Sequence, residues 1–233
     1  MIHQDGVDIW LSFYTKQMPE PLIDGFGILS IFKEIKFSPD GSSGTHRYDE
    51  AEVFTYVCKG DVVQEDSTGY SGVIHTGEFQ YMCTGADCYH TETNASQTHE
   101  AQIYRISLHP AVGGLECSRE QKRFTVAERR NVLCVVASHD GRKGSLRMNQ
   151  DALIYSSILH TGHHLVQEIQ PGRTAWLLIL SGKVRLNDII LGWGDSVGFV
   201  VEPAVSVTVL ETTELLLVDL VFTPTSPENK AVC

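Results

Sequence analysis

The stretch TYVCKGDVV at residues 55–63, the turn STGYSG at 67–72 and the run IHTGEFQYM at 74–82 decide the fold. Each apolar run is short, rich in β-branched and aromatic side chains, and closed by a glycine-bearing turn, which is the pattern of strands and not of helices. The same design recurs at LLILSGKVRL (177–186), the turn residues Asn187-Asp188 and ILGWGDSVGF (190–199). In both copies a strand runs into a glycine (Gly60, Gly182) and a second strand follows. A hairpin turn then leads to Gly77-Glu78 or Gly194-Asp195 ahead of the next strand. This reads as an internal duplication of a β unit.

Working outward, further strand-like segments fall at 52–58, 61–65, 78–82, 102–108, 175–180 and 215–220, spaced as in a sandwich or barrel and not as βαβ units. The single helical signal is Thr125-Val126-Ala127-Glu128, a Ser/Thr-x-x-Glu capping box in mid-chain. The 233 residues therefore divide into an N-terminal domain over 1–124 and a C-terminal domain over 125–233. Apolar residues make up 42 % and charged residues 20 %, enough for a core and against global disorder. With 29 acidic and 18 basic residues the net charge is -11, which repels phosphate backbones and anionic lipid. No direct nucleic-acid binding and no membrane span are expected. No signal peptide is read, which favours the cytoplasm. The six cysteines read as reduced thiols, and the sequon Asn94-Ala95-Ser96 as accidental.

Two polar segments carry the candidate chemistry. GTHRYDE (44–50) precedes the strand at 52–58, and GADCYHTE (85–92) follows the strand at 78–82. In extended chain His90 and Glu92 share a face, as do His46 and Tyr48. If the segments are neighbours in one barrel, His46, His90 and Glu92 converge with Tyr48 beside them. Two imidazoles and a carboxylate are the donor set of a non-haem Fe(II) centre with open positions. Counted from Gly60/Gly182 and Gly77/Gly194, the second copy places Glu168, Gln170, Val207 and Val209 at the positions of His46, Tyr48, His90 and Glu92. It keeps no metal set. Cys88 reads as a small buried residue, the cluster His160, His163 and His164 as solvated, and Phe54, Tyr56, Phe79, Tyr81 and Tyr104 as core with some lining the cavity.

GTH (44–46), TYVCKGDVVQEDSTG (55–69), GEFQYMCTGADCYHTE (77–92), REQKRF (119–124) and GSLRMNQDALIY (144–155) together resemble the pirin-like bicupins. The resemblance runs from Gly25 to Leu220 and implies an all-β bicupin: two jelly-roll-like cupin β-barrel domains with a short interdomain helix, and a metal in the first barrel only. Members hold iron through His-x-His and His-x-Glu, which fall here on His46, Tyr48, His90 and Glu92, so one histidine is replaced by tyrosine. Three roles stay open for Tyr48: a phenolate ligand, a hydrogen-bond donor beside a three-ligand site, or a filler of a metal-free barrel. The implied activity is a dioxygenase of the quercetin 2,3-dioxygenase type. It would use Fe(II) or another divalent metal and a small aromatic, flavonol-like substrate, with Glu92 as base toward the substrate hydroxyl. The alternative is a metal-free binding, regulatory or stress-response protein. No protein partner is indicated.

Overall fold

The computed structural model describes residues 2–11, 25–47, 50–85 and 88–222. The first half runs β1 (Ile2–Gln4), β2 (Val7–Leu11), β3 (Leu29–Phe37), β4 (Ser42–Arg47), β5 (Ala51–Lys59), β6 (Val62–Asp66), β7 (Ser71–Ile74), β8 (Glu78–Thr84), β9 (Tyr89–Asn94), β10 (Ala101–Leu108) and β11 (Ser118–Arg123). Helix α1 (Val126–Arg129) follows. The second half comprises β12 (Cys134–Ser138), β13 (Leu146–Arg147), β14 (Ala152–Leu159), β15 (His164–Glu168), β16 (Arg173–Leu186), β17 (Ile189–Gly192), β18 (Ser196–Phe199) and β19 (Ala204–Val221). The all-β expectation with a mid-chain helix holds. In α1 the Thr125 hydroxyl accepts from the Glu128 amide at 3.3 Å while the Thr125 amide donates to the Glu128 carboxylate at 2.6 Å, so both halves of the capping box form.

Strands β1-β2-β3-β10-β5-β8-β11 form one sheet, and β4-β9-β6-β7 form a smaller one. They close over an apolar floor in which Ile35, Phe37, Val57 and Ile103 of the large sheet meet Val62 and Ile74 of the small one. The polar segments read as flanking the strands are strands themselves, β4 and β9. Their ladder is built from backbone groups, so their polar composition does not prevent it. In the second half β13-β12-β14-β19-β16-β17 pair in that order, with β15 on β19 and β18 on β16. The long strands β16 and β19 shift register at Ile179/Ser181 and Lys183/Val184, irregularities of the kind that let a strand bend and serve two walls of a barrel. Leu165, Leu177, Val184, Val205, Val207 and Leu217 form its apolar core, with buried Asp219 ion-paired to Arg173 at one end.

The matched glycines occupy matched conformations: φ is 68° at Gly60 and 80° at Gly182, and 83° at Gly77 and 82° at Gly194. At Gly182 an added Cβ would stand 2.2 Å from the Thr212 carbonyl oxygen, so this turn requires glycine for both φ and space.

Period-two alternation decides what each strand shows to which side. On β10, Ile103, Arg105 and Ser107 face the first barrel's interior. Tyr104, Ile106 and Leu108 face outward and join Phe54, Tyr56, Phe79 and Tyr81 in a layer that packs on Val136, Leu146, Ile154, Trp176, Leu178, Leu216 and Val218 of the second half. Tyr56 and Phe79 stack there at 4.3 Å between ring centroids. The five aromatics expected in part around the polar cluster thus turn their backs on it.

Two polar knots pin this layer. Tyr56 donates to Glu214 at 2.6 Å, and Arg129 reaches the same carboxylate oxygen at 2.7 Å. Buried Glu52 accepts from the Tyr81 hydroxyl at 2.8 Å and from the Asn149 and Gln150 amides at 2.9 Å each. Its other oxygen takes the Ala111 amide at 3.3 Å.

Candidate metal centre

β9 alternates exposed and buried residues, and His90, Glu92 and Asn94 are its buried set. β4 lies beside it with His46 directly opposite His90, and β6 lies on the other side with Gln64 opposite Glu92 and Asp66 opposite His90. Backbone pairing thus brings together residues far apart in sequence. Tyr48 lies outside the described residues. Asn94 spends its side chain on the Ser38 and His99 carbonyls at 2.9 and 2.7 Å and is 3 % exposed, which makes it a structural residue and not a modification site.

Across the barrel, β10 sends Arg105 into the same space. Its Nη2 forms an ion pair with Glu92 Oε1, and its Nε donates to the Thr55 hydroxyl at 3.2 Å. Gln64 Nε2 approaches the same Glu92 oxygen at 3.5 Å. Glu92 Oε2 is buried and has no hydrogen-bond partner among the described residues. Burial pushes the Glu92 carboxyl up, but the charge and hydrogen bonds of Arg105 outweigh it and hold the group below the usual carboxylate range. Burial lowers both His46 and His90, against the opposing pull of Glu92. The site therefore carries an ionised carboxylate and neutral imidazoles at pH 7. His46 Nδ1 lies 3.3 Å from the Gly44 carbonyl; as donor there it leaves the lone pair on Nε2, the tautomer of a metal ligand.

A second grouping uses the same histidine. Ligand atoms of Asp66, Cys88 and His90 lie within 4.8 Å of one another, and the His46, His90 and Glu92 trio is spread wider. Asp66 is otherwise engaged: Oδ1 accepts from the Thr68 amide at 2.8 Å, the Thr68 hydroxyl at 2.6 Å and the Tyr70 amide at 3.2 Å, and Oδ2 is ion-paired with Arg119. It closes the 66–70 turn. Burial, with a contact from Cys117, pushes the Cys88 thiol up to about 11, so Cys88 behaves as a buried neutral thiol. His160 and His164 are exposed and His163 half-buried at the start of β15.

Tracing the second barrel through its ladders shifts the matched positions. Val62 opposite Asn94 corresponds to Val184 opposite Val209, which sets His90 against Val205, Glu92 against Val207 and, through the β15 pairing, His46 against Gln167. Counting from Gly77 and Gly194 overlooks that β8 has 7 residues and β18 only 4. The valines are fully buried, and the second barrel has no donor set at these positions.

Above the His46–Glu92 face opens a cavity of about 470 Å³, lined by Lys33, His46, Glu92 and Arg105 and walled by Ile9, Ile31 and Ile35. Arg105, Lys33 and Gln64 escaped the sequence reading; the signal for Arg105 was a charge in the middle of the apolar strand QIYRISL. Burial, with Arg105 nearby, lowers Lys33 from 10.5 to about 8. Below pH 8 the folded and unfolded chains both carry this proton, and the cost of burying the ammonium is borne in full. Between about 8 and 10.5 the folded chain is neutral there while the unfolded chain still binds the proton, so stability climbs with pH. Lys33→Met is expected to be more stable than the wild type at pH 7 by on the order of 2 kcal/mol. Urea titrations from pH 7 to 10 should show that gap closing; a gap independent of pH would contradict the assignment.

Comparison with known proteins agrees with this architecture. The family model described as Pirin matches residues 15–107, and the one described as Quercetinase C-terminal cupin domain matches residues 135–220. The chain is 30% identical to a quercetin 2,3-dioxygenase of Escherichia coli (strain K12) over 214 residues, 92% of this chain and 91% of the relative. It superposes on a bacterial pirin from Escherichia coli, YhhW, crystallised in complex with nickel(II), with a TM-score of 0.87, 29% identity and 95% of each chain covered. The Escherichia coli protein YhaK, at 17% identity and a TM-score of 0.78 with 92% and 94% covered, shares the fold.

Proposed function

Because the chain belongs to the pirin family and is an all-β bicupin, we propose that its first barrel houses a divalent-metal-dependent dioxygenase site of the quercetin 2,3-dioxygenase type, taking Fe(II) and a small aromatic hydroxyketone. The observation that carries this reading is Glu92 Oε2: an ionised carboxylate oxygen, buried and without a hydrogen-bond partner among the described residues, on the face that His46 and His90 share. Neutral imidazole nitrogen and carboxylate oxygen are donors that Fe(II) and Ni(II) take, so the donor types suit a metal that His46, His90 and Glu92 would hold. Bound there, the metal would act as a Lewis acid toward the substrate oxygens and bring them beside dioxygen.

The protein's own groups supply the remainder. Arg105 holds Glu92 Oε1 and keeps the carboxylate ionised, which leaves Oε2 as the oxygen to be offered to the metal. Ile9, Ile31 and Ile35 form an apolar wall against which a flat ring would lie. Thr55 fixes the guanidinium that fixes Glu92.

The alternative, a metal-free binding protein, is favoured by one observation: Arg105 already gives Glu92 a positive partner. Elemental analysis separates the two. Purified protein incubated with Fe(II) under nitrogen and desalted is expected to retain about one equivalent, and to bleach the quercetin absorbance in air. Tyr48→His should change the iron content little if three ligands suffice. A wild type that stays metal-free and inert while Tyr48→His takes up iron overturns the proposal.

A further inference from the structure

Alternation on β3 sends Ile31, Lys33 and Ile35 into the chamber and turns Phe32 and Glu34 to the opposite face. There the ladders set Trp10 of β2, Glu34 of β3 and Tyr104 of β10 in one cross-strand row. The turn that opens with Trp193 of the second barrel faces this row. Between them lies a cavity of about 550 Å³, its lining including Trp10, Phe32, Glu34, Tyr104 and Trp193. Lys36 Nζ stands 4.7 Å from the Trp10 ring centroid and 4.5 Å from that of Trp193, so one ammonium holds an indole from each barrel and sets the mouth before any ligand arrives. Trp193 is still 55% exposed, leaving at a concave surface the kind of ring area that ligands cover. Glu34 is 6% exposed. Its Oε1 takes Lys36 at 3.1 Å and the Gln102 side-chain amide at 2.8 Å. Its Oε2 accepts a hydrogen bond from none of the described residues, so the aromatic cavity contains an acceptor whose capacity is unused.

We propose that this cleft between the barrels binds a planar, neutral aromatic ligand bearing an O–H or N–H donor, its ring against the indoles and its donor on Glu34 Oε2. What the cleft lacks is a hydrogen bond and not a charge. The ion pair of Glu34 with Lys36 is complete, and a ligand cation would have to displace an ammonium already seated between the two indoles. An aromatic without a donor would cover the rings and seal Oε2 from water without replacing what the water gave it. The site lies on the other side of β3 and β10 from the chamber and requires no metal, so it stands independently of the proposed function.

The test titrates 2-naphthol and 2-methoxynaphthalene calorimetrically into the whole chain at pH 7, after chelator treatment so that no metal captures the naphthol oxygen. Naphthol is expected to bind about tenfold tighter or more, because it alone brings a donor to the carboxylate. In Glu34→Gln the amide oxygen has to face Lys36 and Gln102, which turns the NH2 toward the cleft. The acceptor is then lost, and the two ligands should come within about threefold of each other. Trp193→Leu, at an exposed position, should weaken both ligands roughly fivefold. Lys33→Met, on the chamber face of the same strand, should leave both affinities within about twofold. Equal affinities in the wild type, a preference that survives Glu34→Gln, or binding that falls in Lys33→Met and holds in Trp193→Leu would each overturn the inference.

Discussion

Arg105→Met is expected to lower the unfolding free energy by about 3–5 kcal/mol, because it leaves Glu92 as a buried charge without its ion-pair partner. For a chain of this length that corresponds to a fall of roughly 10 °C in melting temperature. The loss lies in the stranded carboxylate more than in the missing contact. Arg105→Met combined with Glu92→Leu should therefore recover most of it, since replacing a whole buried pair by apolar groups is often neutral. Ni(II) or Fe(II) should also raise the melting temperature of the single variant, as a ligand bound by the folded state alone must, with the metal taking over the charge that Arg105 supplied. Thermal and urea melts followed by circular dichroism decide the matter. A loss below about 1 kcal/mol, or a double variant no better than the single one, would show that the pair does not carry this weight.

The second large effect is expected at Glu52. Its carboxylate accepts from Tyr81, Asn149, Gln150 and Ala111, and Glu52→Ala removes the acceptor these four donors share at the seam between the barrels. A buried donor left without a partner costs about 1–3 kcal/mol; the Tyr81 hydroxyl is buried while Asn149 and Ala111 are exposed, so a total of about 2–4 kcal/mol is expected. Glu52→Gln keeps the shape and one acceptor oxygen and should cost markedly less. Native-state hydrogen exchange gives a local readout, because the Asn149 and Gln150 amides both point at Glu52. They should exchange much faster in Glu52→Ala than the amides of β14. Unchanged protection at those two positions would mean the carboxylate is dispensable there.

Much of the architecture is legible in the sequence because turns are. Gly60, Gly77, Gly182 and Gly194 mark positive φ, and Thr125 with Glu128 marks the helix start; these are local demands that leave local traces. The shared face of His90 and Glu92 is legible for the same reason, since strand alternation needs no partner. Arg105 is not legible, because β10 carries buried apolar residues on both faces. With Ile103 inside and Tyr104, Ile106 and Leu108 outside, alternation does not say which face is the interior. Lys33 is hidden in the same way between Phe32 and the buried Glu34. Asp66 reaches His90 only through the β6–β9 ladder, a register that no spacing in the sequence announces. β4 and β9 read as connecting segments because SSGTHR and YHTETN carry the polar residues of loops.

The aromatic layer between the barrels also bears on how such a chain can change over time. Neither half can be discarded, because Phe54, Tyr56, Phe79, Tyr81 and Tyr104 on one side and Trp176, Leu178, Leu216 and Val218 on the other would be left facing water. The surfaces that look most like packing are therefore the ones under the tightest constraint. The chamber residues His46 and Lys33 lie outside this layer, so substitutions there leave the seam in place. A protein built this way can vary its chamber while the second barrel stays a permanent half of its scaffold.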